Sequence, residues 1–141
     1  MSNYERNSVC YEPKELFDAM KSHKPAPEKD FGGDMIKISS LRYQVFMNSL
    51  SCNYCGIIGS RLYKERSVNK KGIPTSSRYH FNLYAVIEDG SEVLMTKDHI
   101  IPKAMGGGDS LQNLQTCCII CNHKKATMSH TEFNKLEKEN V

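Results

Sequence analysis

The sequence predicts a small α+β domain, and three observations carry that prediction. Two segments rich in aromatic and β-branched residues, 80–87 (HFNLYAVI) and 92–101 (EVLMTKDHII), flank Glu88-Asp89-Gly90-Ser91, whose Asp-Gly pair is a strong hairpin signal. Capped helical patterns stand on both sides of that hairpin. Two Cys-x-x-Cys pairs, Cys52/Cys55 and Cys118/Cys121, bracket it. At 141 residues the chain is sized for one domain with a tail or a short second element. A hydrophobic content of 39% without Trp gives a modest core that a metal staple would reinforce.

The six cysteines decide between compartments. A secreted disulfide scaffold needs a signal peptide, and residues 1–15 (MSNYERNSVCYEPKE) hold no apolar stretch. No apolar run approaches the roughly 18 residues of a membrane span. A cytoplasmic chain is therefore expected, in which paired Cys-x-x-Cys units favour metal over disulfide. The formal charge of +3 does not by itself announce a polyanionic partner, so its distribution has to be read.

Residues 1–38 read as an N-terminal tail with a short helix and a linker, and residues 39–141 as the stapled domain. Within the tail, 1–12 reads as disordered or loosely packed. A helix is expected over 13–22, with Pro13 at its first position and Leu16, Phe17 and Met20 on one face. Residues 21–33 (KSHKPAPEKDFGG) read as a linker. Ser39 or Ser40 can cap a helix over 41–50, where Leu41, Val45 and Phe46 share a face. Gly56 permits the turn that closes the first cysteine pair. Residues 61–79 set Arg61, Lys64, Arg66, Lys70, Lys71 and Arg78 against Glu65 alone. Such a run is most often a solvated loop, and beside a nucleic acid it would contact phosphates.

Pro102 should end the second hairpin strand, and Gly106-Gly107-Gly108 makes the following loop irregular. A short strand or turn follows Asn113, and a helix runs from Ile119 to Thr127. Ser129 and Glu132 form a capping box for a last helix over 130–139, bearing Phe133 and Leu136. The core motif falls at 80–128.

Two metal sites emerge. Each Cys-x-x-Cys turn can present two thiolates to one tetrahedral ion, so Cys52, Cys55, Cys118 and Cys121 form a structural zinc set. Cys117 would leave a less usual spacing and is the spare. Asp98-His99 sits where the second hairpin strand ends, so both side chains can reach one site. A neutral imidazole can take a proton near neutrality. A carboxylate with an amide oxygen suits Mg²⁺ or Mn²⁺. Together these are the parts that hydrolysis of a phosphodiester requires.

At these residues the sequence resembles the HNH endonucleases with the ββα-metal (His-Me finger) fold. The resemblance rests on Asp98-His99-Ile100-Ile101-Pro102, Gly107-Gly108, Asn113-Leu114 and Cys118-x-x-Cys121-Asn122-x-x-Lys125, with Cys52-x-x-Cys55-Gly56 upstream. It covers roughly residues 40–128, and the wider context is similar to small stand-alone members common in phage genomes. It implies a DNA endonuclease in the cytoplasm of a bacterium or a phage-infected host. His99 would be the general base, Asp98 and Asn122 the ligands of a catalytic Mg²⁺ or Mn²⁺, and Asn113 the brace of the loop holding His99. Lys125 would stand near the scissile phosphate. The four cysteines match the structural zinc of many members. Arg61, Lys64, Arg66, Lys70, Lys71, Arg78 and Lys124 are the expected DNA contacts. A phage or host protein is an expected further partner, with oligomeric state open.

The chain also departs from the family pattern. Asn122 stands where many members carry His, and the neighbouring His123 competes for the role, although two adjacent helical residues differ by about 100° and only one can face Asp98. The competing expectation is a non-catalytic zinc-containing subunit that binds nucleic acid or serves assembly or packaging.

Overall fold

The structure is a computed structural model that describes residues 4–22, 27–75 and 78–139. In chain order it begins with β1 (Tyr4–Tyr11), α1 (Pro13–Ser22) and the hairpin β2 (Glu28–Phe31) and β3 (Asp34–Lys37). Next come α2 (Leu41–Asn48), β4 (Gly59–Ser67), β5 (His80–Val86) and β6 (Glu92–His99). The chain closes with β7 (Leu114–Cys118), α3 (Ile119–Lys125) and α4 (His130–Glu139). Five strands make one antiparallel sheet in the order β1-β4-β5-β6-β7. The mixed α+β class read from the sequence is the class observed. No helix among the described residues is long and apolar enough to cross a membrane.

One face of the sheet is apolar and holds the core. Leu62, Phe81, Leu83, Ala85, Val93 and Met95 meet Leu16 and Ala19 of α1, Phe31 and Ile36 of the β2–β3 hairpin, and Phe46 of α2. Phe31 and Phe81 stack edge to face at 4.9 Å, a geometry the ring quadrupoles favour. The Phe81 amide donates to the Tyr43 hydroxyl at 2.8 Å, so this buried tyrosine keeps a partner for its polar end. Helix α2 begins as the sequence indicates: the Ser40 side chain accepts from the Arg42 amide. In α4 the Ser129 hydroxyl accepts from the Glu132 amide at 3.1 Å, and Phe133 is buried. Leu136, expected on the same apolar face, is exposed.

Three readings of the amino-terminal half are corrected. Residues 4–11 are not loose: they form β1, which pairs with β4 across Tyr4↔Ser67 and Tyr11↔Leu62. The linker over 21–33 contains β2, closed by the Gly32-Gly33 turn onto β3. The basic run is a loop only beyond Ser67, since its first residues belong to β4, which lies between β1 and β5. Opposite charges make that strand possible. Lys64 is 1% exposed and donates to Asp34 Oδ2 at 2.6 Å and to the Phe31 carbonyl at 2.7 Å. Glu65 accepts from Arg6 Nε, Asn82 Nδ2 and the Tyr84 hydroxyl, each at 2.7 Å. Buried charges are tolerated when they are paired and hydrogen-bonded in this way.

Helix α3 ends at a strained residue. Ala126 has φ 49 and ψ −119, a conformation that a Cβ disfavours, in a turn closed by the Met128 amide on the Lys125 carbonyl. Such a residue costs about 1–3 kcal/mol, more than the roughly 0.5–1 kcal/mol entropic cost of a glycine. Ala126→Gly is therefore expected to raise the melting temperature by a few degrees. A lower melting temperature in a thermal scan would show that the turn is unstrained.

Candidate active site and metal centre

The site is built by β6, β7 and α3. Asp98 pairs with Gln115 and His99 with Leu114 across β6–β7, so the loop 100–113 leaves and returns at the same edge of the sheet. Helix α3 starts directly after Cys118 and packs on β6. The strand partner of Asp98 and His99 is thus β7. The β5–β6 hairpin supplies one of those two strands, β6.

Asn113 spans the loop. Its Oδ1 accepts from the Ile101 amide at 2.9 Å, and its Nδ2 donates to the carbonyls of Ile101 at 3.1 Å and Gly108 at 2.8 Å. Gly107 is required by close approach: a Cβ there would lie 1.7 Å from the Ile101 carbonyl oxygen. These contacts fix the chain on either side of Pro102 and so the exit from β6.

Asp98 is buried at 6% exposure. Gln115 Nε2 donates to its Oδ2 at 3.0 Å, and Lys125 Nζ lies 3.1 Å from its carboxylate. Lys125 also donates to the His99 carbonyl at 2.7 Å and is 1% exposed. It is a buried brace at the end of β6, its ammonium engaged by Asp98 and the His99 carbonyl. Asn122 Nδ2 donates to Thr96 Oγ1 at 2.9 Å, which leaves its side-chain Oδ1 without a protein partner among the described residues. Asp98, His99, Asn122 and Lys125 line one cleft of about 320 Å³ together with Lys97 and Lys103. His123 is exposed on α3 and does not line it, so of the two neighbours Asn122 is the one at the cleft.

A hard divalent cation fits this donor set. The unengaged Asn122 oxygen and the Asp98 carboxylate border the same cleft, and both are oxygen donors of the kind Mg²⁺ or Mn²⁺ takes with retained waters. A carboxylate oxygen accepts more than one partner, so the Gln115 and Lys125 bonds do not saturate Asp98.

Asp109 is a residue the sequence reading missed. Its Oδ1 lies 2.7 Å from His99 Nε2 and its Oδ2 3.1 Å from Lys103 Nζ. The hydrogen bond from His99, and then that from Lys103, hold this carboxylate below its usual range. An ionised carboxylate only accepts, so Nε2 carries the proton and Nδ1 is the basic nitrogen of neutral His99. Lys97 and Lys103 were missed as well. Their positions, one residue before Asp98 and one after Pro102, are the only signal the sequence offers.

The expected DNA contacts scatter. Lys64 is buried in its pair with Asp34 and cannot reach a phosphate. Arg66 pairs with Glu5 at 2.5 Å, Arg61 lies 3.6 Å from Glu92, and Arg78 pairs with Glu28. None of these residues lines the cleft, nor do Lys70 and Lys71. Lys124 is exposed on α3, the helix that carries Asn122.

The four cysteines converge. The sulfurs of Cys52, Cys55, Cys118 and Cys121 lie within 4.8 Å of one another. Cys55 and Cys118 are 3.7 Å apart, close to the separation of about 3.8 Å in a zinc–thiolate tetrahedron with bonds near 2.3 Å. The knuckle is shaped by Gly56 at φ 81 and tied to β7 by the Asn53 amide on the Thr116 carbonyl at 3.0 Å. Cys117 is buried outside the set, its thiol donating to the Cys118 carbonyl at 3.4 Å. Burial pushes the Cys118 and Cys121 thiols up, while the hydrogen bond with Cys117 pulls the Cys52 thiol down; a bound cation would favour the thiolate form of the set. The donor set suits a structural zinc ion.

Comparison with known proteins bears on this same segment. Residues 88–136, from the β5–β6 turn into α4, match the model of a family described as HNH endonuclease. No curated protein and no solved structure matches the chain.

Proposed function

We propose, on the premise that residues 88–136 carry the HNH endonuclease family's segment, that the protein hydrolyses DNA phosphodiester bonds with a divalent cation at the cleft. The carrying observation is that His99, Asp98 and Asn122 border one cleft inside that segment.

Asp98 and Asn122 would hold Mg²⁺ or Mn²⁺, which when bound supplies positive charge to a phosphate oxygen and to the leaving oxygen. His99 Nδ1 takes a proton from the attacking water, and Asp109 fixes the ring and its tautomer through Nε2. The water oxygen forms the new bond to phosphorus as the bond to the 3′ oxygen breaks, and the departing 3′ oxygen takes a proton from solvent water, leaving a 5′-phosphate and a 3′-hydroxyl. Lys97 and Lys103 at the cleft, with Lys124 on α3, draw the phosphate backbone in. Lys125 and Asn113 keep the Asp98-His99 turn in place without touching substrate. None of these groups reads a base edge, so the geometry supports cleavage with little base selection of its own.

The buried Lys125–Asp98 pair favours one other reading, a non-catalytic nucleic-acid-binding or assembly subunit in which the ammonium permanently replaces the divalent ion. Cleavage of plasmid in Mg²⁺ and its suppression by EDTA separate the two. The nuclease reading expects cleavage, and DNA binding without cleavage by zinc-loaded protein would favour the subunit. Asp109→Asn is expected to lower kcat near neutral pH with KM for DNA little changed. A steady-state comparison with unchanged kcat would remove Asp109 from the mechanism.

A further inference from the structure

Gln115 is 5% exposed, and its side-chain amide is used at both ends. Its Oε1 accepts from Asn53 Nδ2 at 2.7 Å, while its Nε2 donates to the Tyr54 hydroxyl at 2.8 Å and to Asp98 Oδ2 at 3.0 Å. The Asp98 carboxylate, which only accepts, and the Asn53 amide N–H, which only donates, fix the orientation of the amide, because a flip would set oxygen against oxygen and nitrogen against nitrogen. Asn53 and Tyr54 are the two residues between Cys52 and Cys55. The Tyr54 hydroxyl meets His130 Nδ1 at 3.1 Å, and its ring packs edge to face on Phe133 at 4.7 Å. The His130 amide in turn donates to the Ile100 carbonyl, one residue past His99, at 3.0 Å. One buried amide therefore joins the cysteine knuckle to the carboxylate at the cleft.

We infer that Gln115 is a positioning residue: held by the knuckle through Asn53 and Tyr54, it sets the Asp98 carboxylate for the divalent cation of the cleft. The inference rests on the proposed nuclease reading for the identity of that cation's role. Hydrogen-bond partners of a metal-binding carboxylate fix its rotamer, and their removal commonly costs about 10–100-fold in affinity or activity. Packing alone gives no reason for the knuckle to aim an amide N–H at Asp98.

The test uses the full chain with its cysteine site loaded with zinc. Mn²⁺ binding is measured by titration calorimetry for wild type, Gln115→Leu and Tyr54→Phe, alongside zinc content and melting temperature. Gln115→Leu is expected to weaken Mn²⁺ binding about tenfold or more with zinc content unchanged. Tyr54→Phe keeps the ring on Phe133 and removes only the hydroxyl, so a smaller weakening in the same direction is expected. A wild-type Mn²⁺ affinity in folded Gln115→Leu overturns the inference. Should that variant not fold, a wild-type affinity in Tyr54→Phe overturns it. Wild type that binds Mn²⁺ but leaves DNA intact refutes the nuclease reading alone, while wild type that binds no Mn²⁺ removes both.

Discussion

Cys52→Ser is expected to lose the structural metal that the four cysteines would hold and to unfold at temperatures where the wild type is native. The reason lies in what the four sulfurs tie together. Cys118 ends β7 and caps α3 through its bond to the Cys121 amide, so it sits at the junction of two elements that carry the cleft. Cys52 and Cys55 belong to a knuckle whose backbone reaches β7 at Asn53. Structural zinc sites of this kind bind with about 10–16 kcal/mol, as much as the roughly 5–15 kcal/mol that stabilises a whole domain. Without the ion, four mutually close sulfurs remain, three of them in buried residues. Metal analysis with thermal unfolding checks the result, and prolonged chelation of the wild type should reproduce it. A zinc-free variant that melts like the wild type would refute the staple.

His99→Ala is expected to lower DNA cleavage by about 10²–10⁴-fold, the usual contribution of a positioned general base. Fold and zinc content should be retained, since the imidazole is 23% exposed and its side-chain bond runs to exposed Asp109. The brace of the turn survives the change, because Lys125 holds the His99 carbonyl and not its ring. DNA binding should also persist, carried by Lys97, Lys103 and Lys124. A kcat near wild type would transfer the base role to another group.

What could be read from the sequence was local. The Asp89-Gly90 turn, the Ser40 and Ser129 caps and the two cysteine pairs each act within a few residues, and each has its counterpart in the structure. What could not be read depends on partners far along the chain. β1 looked loose because its partners are distant: Arg6 finds Glu65 fifty-nine residues away, and the strand pairs with β4. Lys64 looked like a phosphate contact because nothing in its neighbourhood of sequence announces Asp34 beneath it. The site divides in the same way. Asp98, His99, Asn113 and Asn122 stand out through spacing, whereas Asp109 and Gln115 acquire meaning only once the loop folds back and β6 pairs with β7. Lys125 was visible in the motif, but its burial against Asp98 makes it a brace.

Nuclease activity is read by incubating supercoiled plasmid with zinc-loaded wild type and His99→Ala in Mg²⁺, with EDTA as control. Nicked or linear product is expected from the wild type in Mg²⁺, none in EDTA, and a rate lower by at least about a hundredfold in the variant. Equal cleavage by both proteins, or intact plasmid with a folded, metal-loaded wild type, would contradict the nuclease reading.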